Sequence, residues 1–225
     1  MSGPRGALLL ALVLAAVVAS FFADRKPTAN SNAPGTFDYY VLVLGWSPTY
    51  CLSEGWVRRD GQCDVSRAFV LHGLWPQFQR GWPENCHTAK RPWVSQQVIE
   101  GMRDIMPSKN LMIHEYRAHG TCSGLDPAQY FAVARRLYER VSVPARFLTV
   151  GADRVSSPGE IESEFLGANP WLTPDMISIA CRSANLLDIR VCFGRDLAPR
   201  NCGINEDKKR LCPARTITVP PPARR

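Results

Sequence analysis

Eight cysteines, at positions 51, 63, 86, 122, 181, 192, 202 and 212, are spread over the last three quarters of a chain of 225 residues. All lie behind an N-terminal stretch that reads as an export signal. Arg5 supplies its positive end, Ala7 to Val18 is an unbroken apolar run, and small residues follow at Ala19, Ser20 and Ala23. An even cysteine count behind such a segment predicts four disulfides formed in an oxidising compartment, periplasmic or extracellular. Zinc is the competing reading, but no C-x-x-C pair occurs and the spacings are irregular. The apolar run falls short of the roughly 20 residues of a membrane span. Residues 1–23 are therefore expected to be a cleaved signal peptide, the chain's single link to a membrane. Residues 24–36 are polar and turn-rich and are expected to form a flexible leader. The Pro220-Pro221-Pro222-Ala223-Arg224-Arg225 tail is expected to fray, leaving one domain over 37–219.

Hydrophobic patterning gives the coarse layout. Tyr39 to Trp46 reads as a central strand ended by Ser47-Pro48. Ala68 to Leu71 is a shorter run that stops at His72-Gly73, which predicts His72 at a strand end. Helical spacing runs from Val94 to Met106, and a second helix is expected over Lys109 to His119. Asp126-Pro127 then supplies a cap and a first-turn proline to a helix bearing Phe131, Ala134, Leu137, Tyr138 and Val141 on one face. A short helix over Glu160 to Leu166 precedes two strands, Ile177 to Cys181 and Leu187 to Phe193, joined at Ser183-Ala184-Asn185. Strands at both ends and helices between them predict an α+β fold with a largely antiparallel central sheet.

The chemistry concentrates in histidine. Three of the four histidines fall in two segments, Phe69-Val70-Leu71-His72-Gly73-Leu74-Trp75-Pro76 and His114-Glu115-Tyr116-Arg117-Ala118-His119-Gly120-Thr121-Cys122. Imidazole exchanges protons near neutral pH, so gathering it this way suits acid–base work. The net charge of +7 points to a polyanionic substrate. On an ideal α-helix, with His114 at zero, Ala118 lies at about 40°, Glu115 at about 100°, His119 at about 140° and Arg117 at about −60°. Two imidazoles and a carboxylate thus share one side. The i, i+5 spacing of the histidines does not fit a zinc-protease helix, which needs i, i+4. His87, beside Cys86, reads as a surface residue.

The His72-Gly73-Leu74-Trp75-Pro76 and His114-Glu115-x-x-x-His119-Gly120-Thr121-Cys122 segments resemble, in order and spacing, the two catalytic segments of the ribonuclease T2 family. The resemblance extends through Trp46-Ser47-Pro48-x-Tyr50-Cys51 and the C-terminal cysteines. It implies an exported, monomeric, metal- and cofactor-independent endoribonuclease that cleaves single-stranded RNA with little base specificity, through a 2′,3′-cyclic phosphate, with no stable protein partner. It implies His119 as base, His72 as acid, and His114 and Glu115 as groups that position and stabilise the phosphate. It also implies the pairs Cys51–Cys63, Cys86–Cys122, Cys181–Cys212 and Cys192–Cys202. Trp75 is a candidate for stacking on a base, and Gln77 for hydrogen bonding to a base edge. Two positions depart from the family. Ala118 stands where a lysine is usual, so Arg117 is the candidate substitute cation; Gly45 stands where many relatives carry glutamine. The alternative function is a catalytically weakened RNA-binding protein of the same fold.

Overall fold

The computed structural model describes residues 32–55, 61–63, 67–89, 91–148, 151 and 154–222. The expected signal peptide and residues 24–31 of the expected leader lie outside them.

Six strands form one sheet: β1 (Tyr39–Trp46), β2 (Phe69–Gln77), β3 (Arg154–Ser156), β4 (Ile177–Arg182), β5 (Asn185–Gly194) and β6 (Ile217–Val219). The order is β2-β1-β5-β6-β3, with β4 also paired to β5. All pairings are antiparallel except the short β5–β6 contact. The α+β fold with a largely antiparallel sheet is therefore as the patterning predicts. β1 is central because nearly every one of its side chains is apolar and both its edges are paired. Helices cover one face of the sheet. Leu42 and Leu44 of β1, Leu71 and Leu74 of β2, and Ile189, Val191 and Phe193 of β5 pack there against α1 (Lys109–Glu115), α2 (Pro127–Arg140) and α3 (Pro158–Ala168). The opposite face carries Tyr39, Val41, Val43 and Cys192, with Trp75 and Cys202 beside them. Trp75, Gly45 of β1 and Asp188 and Arg190 of β5 line a cleft on this side.

α2 starts at Asp126 with a full capping box, Asp126 accepting from the Gln129 N–H and the Gln129 side chain reaching back. α3 begins the same way at Ser157 and Glu160. The four disulfides pair Cys51–Cys63, Cys86–Cys122, Cys181–Cys212 and Cys192–Cys202, as the resemblance implies. Each typically contributes about 2–4 kcal/mol, largely by restricting the unfolded chain.

Four expectations are corrected. β2 does not stop at His72 but runs on to Gln77. Its pairing with β1 shifts register between Val43, opposite Gly73, and Leu44, opposite Leu71. His72 is thus the extra residue of a β-bulge, which lets the strand continue past a residue that has no partner. The helix expected over 94–106 is only Gln96–Glu100. The following turns free the Ile105 carbonyl to accept the outward N–H of Leu71 on the edge strand, at 2.8 Å. The leader is already anchored at Gly35, whose N–H donates to the Cys122 carbonyl at 2.9 Å. Nor do the first tail residues fray. The Pro220 carbonyl accepts from buried Trp46 Nε1 at 3.0 Å, and the apolar rings of Pro220 and Pro222 are buried.

β2 is an edge strand among the described residues, so its outward backbone groups need partners. Tyr130 of α2 supplies them at Leu74: its hydroxyl accepts from the Leu74 N–H at 3.2 Å and donates to the Leu74 carbonyl at 2.8 Å. Leu74 lies between His72 and Trp75, so this bridge holds the strand that carries both. Tyr130→Phe leaves two buried backbone groups unpaired and is expected to destabilise the fold by about 1–3 kcal/mol. Urea denaturation followed by circular dichroism measures this; a variant as stable as the wild type would show that Leu74 finds other partners.

Candidate active site

Glu115, the last residue of α1, is the centre of the site and only 2% exposed. Its Oε2 accepts from Trp75 Nε1 at 2.7 Å, and its Oε1 lies 3.4 Å from Nε2 of His72. Gly73 follows His72 on β2. A Cβ there would overlap Glu115 Oε2 and sit 2.7 Å from Trp75 Nε1, so only glycine leaves room for the carboxylate. Side chains three apart on a regular strand point to opposite faces. The bulge at His72 inserts one residue, and His72 and Trp75 share the cleft side, their rings 5.7 Å apart.

The helical segment behaves differently from the ideal helix assumed above. α1 ends at Glu115, and Tyr116–Gly120 continues as a π-helix, with the Thr121 N–H donating to the Tyr116 carbonyl five residues back. That wider turn re-aims every side chain in it. His119 comes to lie against the Trp75 ring at 5.2 Å, so Trp75 stands between the two histidines. Ala118 does not face the cleft: it is 2% exposed, and its carbonyl accepts from the Asn85 N–H at 2.8 Å. The neighbouring Cys86–Cys122 bridge ties the same segment to the loop after β2.

A cleft of about 630 Å³ opens over this arrangement, lined in part by Gly45, His72, Trp75, His114 and Glu115. His114 is exposed at its rim. Neither exposed Arg117 nor half-buried His119 is among the residues that line it. Gln77 is also withdrawn from the cleft. It is 3% exposed, and its Oε1 accepts from Asn205 Nδ2 at 3.1 Å. Trp75 lines the cleft and is partly exposed, with its indole N–H committed to Glu115. His87 is exposed and outside the site.

The charges set the two imidazoles apart. Burial pulls the His72 pKa down, but the hydrogen bond and charge of Glu115, with the charge of Asp188, outweigh it and hold His72 above its ordinary value. Burial dominates at His119, against the attraction of Glu115 and Glu84, and holds it below. Glu115 is opposed by its own burial, yet His72, His119 and the indole N–H keep its carboxyl below the usual range and ionised. The arrangement is thus an imidazole that holds its proton more firmly than usual, one that holds it less firmly, and a buried carboxylate around one indole. Among the described residues no group of three acidic, histidine or cysteine side chains is placed to hold a metal ion.

Patterning alone missed Asp188 and Arg190 of β5, which line the cleft beside His72. Their signal was present: two charges two residues apart in an otherwise apolar strand must share a face. At Gly73 the geometry makes a direct prediction. Gly73→Ala displaces the Glu115 carboxylate, and kcat is expected to fall about 10²-fold with the chain still folded. Steady-state kinetics and circular dichroism test this, and an alanine variant with wild-type kcat would remove Gly73 from the site.

Residues 37–202 match the Ribonuclease T2 family. A "Ribonuclease" of Aeromonas hydrophila is 41% identical over 112 residues, which is half of this chain and half of that protein. Ribonuclease DdI of Dictyostelium discoideum is 26% identical over 210 residues, covering 84% of this chain and 88% of the relative. Among solved structures, an RNase-related protein from Calystegia sepium superposes with a TM-score of 0.62 at 23% identity, over 83% of this chain and 97% of its own. A mutant of RNase MC1 in complex with 5′-UMP superposes with a TM-score of 0.57 at 22% identity, over 72% and 91%. By the family match and by the two histidine segments gathered around Glu115, this chain belongs to the ribonuclease T2 family.

Proposed function

We propose that the protein is an exported, metal-independent endoribonuclease that cleaves single-stranded RNA by transphosphorylation. The observation that supports it is the placing of His72 and His119 on either side of the Trp75 ring, with the Glu115 carboxylate 3.4 Å from His72. Neutral His119 accepts the proton of the ribose 2′-hydroxyl. The 2′-oxygen attacks the phosphorus, the bond to the 5′-oxygen breaks, and protonated His72 donates its proton to that leaving oxygen. The products are a 2′,3′-cyclic phosphate and a free 5′-hydroxyl. Hydrolysis of the cyclic phosphate runs the same proton transfers in reverse, with water entering as the nucleophile. Exposed His114 at the rim and Glu115 beneath steady the phosphate and the imidazolium as charge redistributes. Each step uses a side chain already in place and calls on no Lewis acid. The absence of a base-reading side chain at Gly45 and the withdrawal of Gln77 suit low base specificity.

Cleavage of RNA is expected to persist in EDTA, and DNA is expected to survive because it lacks the attacking hydroxyl. Gel assays on both polymers, with ³¹P NMR of the products, decide this; loss of activity in EDTA or equal cleavage of DNA overturns the reading. His72→Ala and His119→Ala are each expected to lower kcat by about 10²–10⁴, whereas His87→Ala stays near the wild type.

The pH dependence follows from the directions of the shifts. Activity needs His119 neutral and His72 protonated. The rising limb of kcat/KM therefore reports a group held below the ordinary 6.5 and the falling limb one held above it, giving a bell with a plateau around that value. Removing the negative charge in Glu115→Gln lets both imidazoles lose protons more readily, so both limbs are expected to move to lower pH. A rate that climbs without a maximum to pH 9 refutes the two-imidazole assignment.

A further inference from the structure

We propose that Asp188 and Arg190 of β5, anchored by Glu206, are positioning residues for the active site: Arg190 braces the Trp75 ring that holds Glu115, and Asp188 adds a second negative charge beside His72. The inference deepens the reaction proposed above and rests on it.

Asp188 and Arg190 stand two apart on β5, on the cleft face, while Ile189 and Val191 point into the helix-covered core. Arg190 Nε donates to Asp188 Oδ1 at 2.8 Å, and its Nη1 donates to Glu206 Oε2 at 3.3 Å. Ser178 Oγ donates to the same Glu206 oxygen at 3.3 Å. Both carboxylates are buried, and the guanidinium carbon lies 5.2 Å from the centre of the Trp75 ring. The indole is therefore gripped at two points. Its ring rests against a guanidinium fixed by two carboxylates, and its N–H is bonded to Glu115. Buried ionic clusters are seldom the most stabilising way to fill space, so the placement of this one against the residue that orients Glu115 asks for a functional reason.

The position of Asp188 supplies the other half. Across the sheet Asp188 pairs with Gly45 of β1, which in turn pairs with Val70 two residues before His72. A side chain at Gly45 would come within 3.5 Å of His72, so glycine there leaves the Asp188 carboxylate and the imidazole without a screen between them. Glu115, His114 and His119 face His72 from the helical segment, and Tyr50 and Arg182 line the same cleft. Within this field Asp188 favours the protonated imidazole and Arg190 opposes it.

The test uses the full chain, with His72 followed by NMR titration without substrate and kcat and KM measured on RNA. Asp188→Asn keeps the shape and removes the charge. The His72 titration and the falling limb of kcat/KM are both expected to move to lower pH, by about one unit, a tenfold change in the protonated fraction. Arg190→Met moves both the other way. Arg190→Lys keeps the charge but cannot bridge two carboxylates with a planar fork, so kcat is expected to fall about tenfold with KM little changed. Asp188→Asn and Arg190→Lys carry the test if Arg190→Met does not fold. An Asp188→Asn protein whose His72 titrates as in the wild type, or an Arg190→Lys protein with unchanged kcat, overturns the inference. A wild-type protein that leaves RNA intact overturns the reaction instead, and the substrate-free titration keeps the two failures apart.

Discussion

The buried carboxylate of Glu115 is the constraint on which the rest of the site depends. An ionised group taken out of water is costly unless every oxygen finds a donor or a cation. Here one oxygen takes the Trp75 indole N–H and the other faces His72. Gly73 is glycine because a side chain would occupy that oxygen's place. His72 sits on a bulge because only an extra residue brings it and Trp75 to the same side of the strand. Each of these local features answers the same electrostatic demand.

The same carboxylate acts on both imidazoles, more strongly on His72. Both feel its charge and burial opposes it at both, but only His72 is also hydrogen-bonded to it. His72 lies within 3.4 Å of a carboxylate oxygen and is 40% exposed, so its protonated form is paired and partly hydrated. His119 is set on the Trp75 ring with its Nδ1 buried and unbonded, so burial prevails and the neutral form is favoured. A hydrogen-bonded anion at His72 and burial at His119 thereby shift two residues of the same type in opposite directions.

Holding the two segments together falls to groups outside the cleft. Tyr130 completes the backbone hydrogen bonds of the edge strand between His72 and Trp75. The Cys86–Cys122 bridge and the Asn85–Ala118 hydrogen bond fasten the π-helical turn to the loop that follows β2. One side-chain bridge, one covalent link and one backbone bond thus support from outside the cleft the join that Glu115 makes within it.

Much of this was legible in the sequence. Apolar patterning located β1, the β4–β5 pair and α2, whose Asp126-Pro127 start is a local signal with a local cause. The paired histidine segments named His72, His114, Glu115 and His119 from spacing and resemblance alone. Tertiary structure decided the rest. A bulge at His72 depends on how β2 lies against β1, and a π-turn at Tyr116–Gly120 depends on packing that repays weaker backbone geometry. Neither can be read from residue order, so the ideal helix put Ala118 and Arg117 in a cleft they do not line. Asp188 and Arg190 lie far along the chain from both segments and join them only when β5 pairs with β1. The residue types and the chemistry they carry were determined by the sequence. Which of them share a face, and which charge meets which ring, was settled by hydrogen bonds between distant strands.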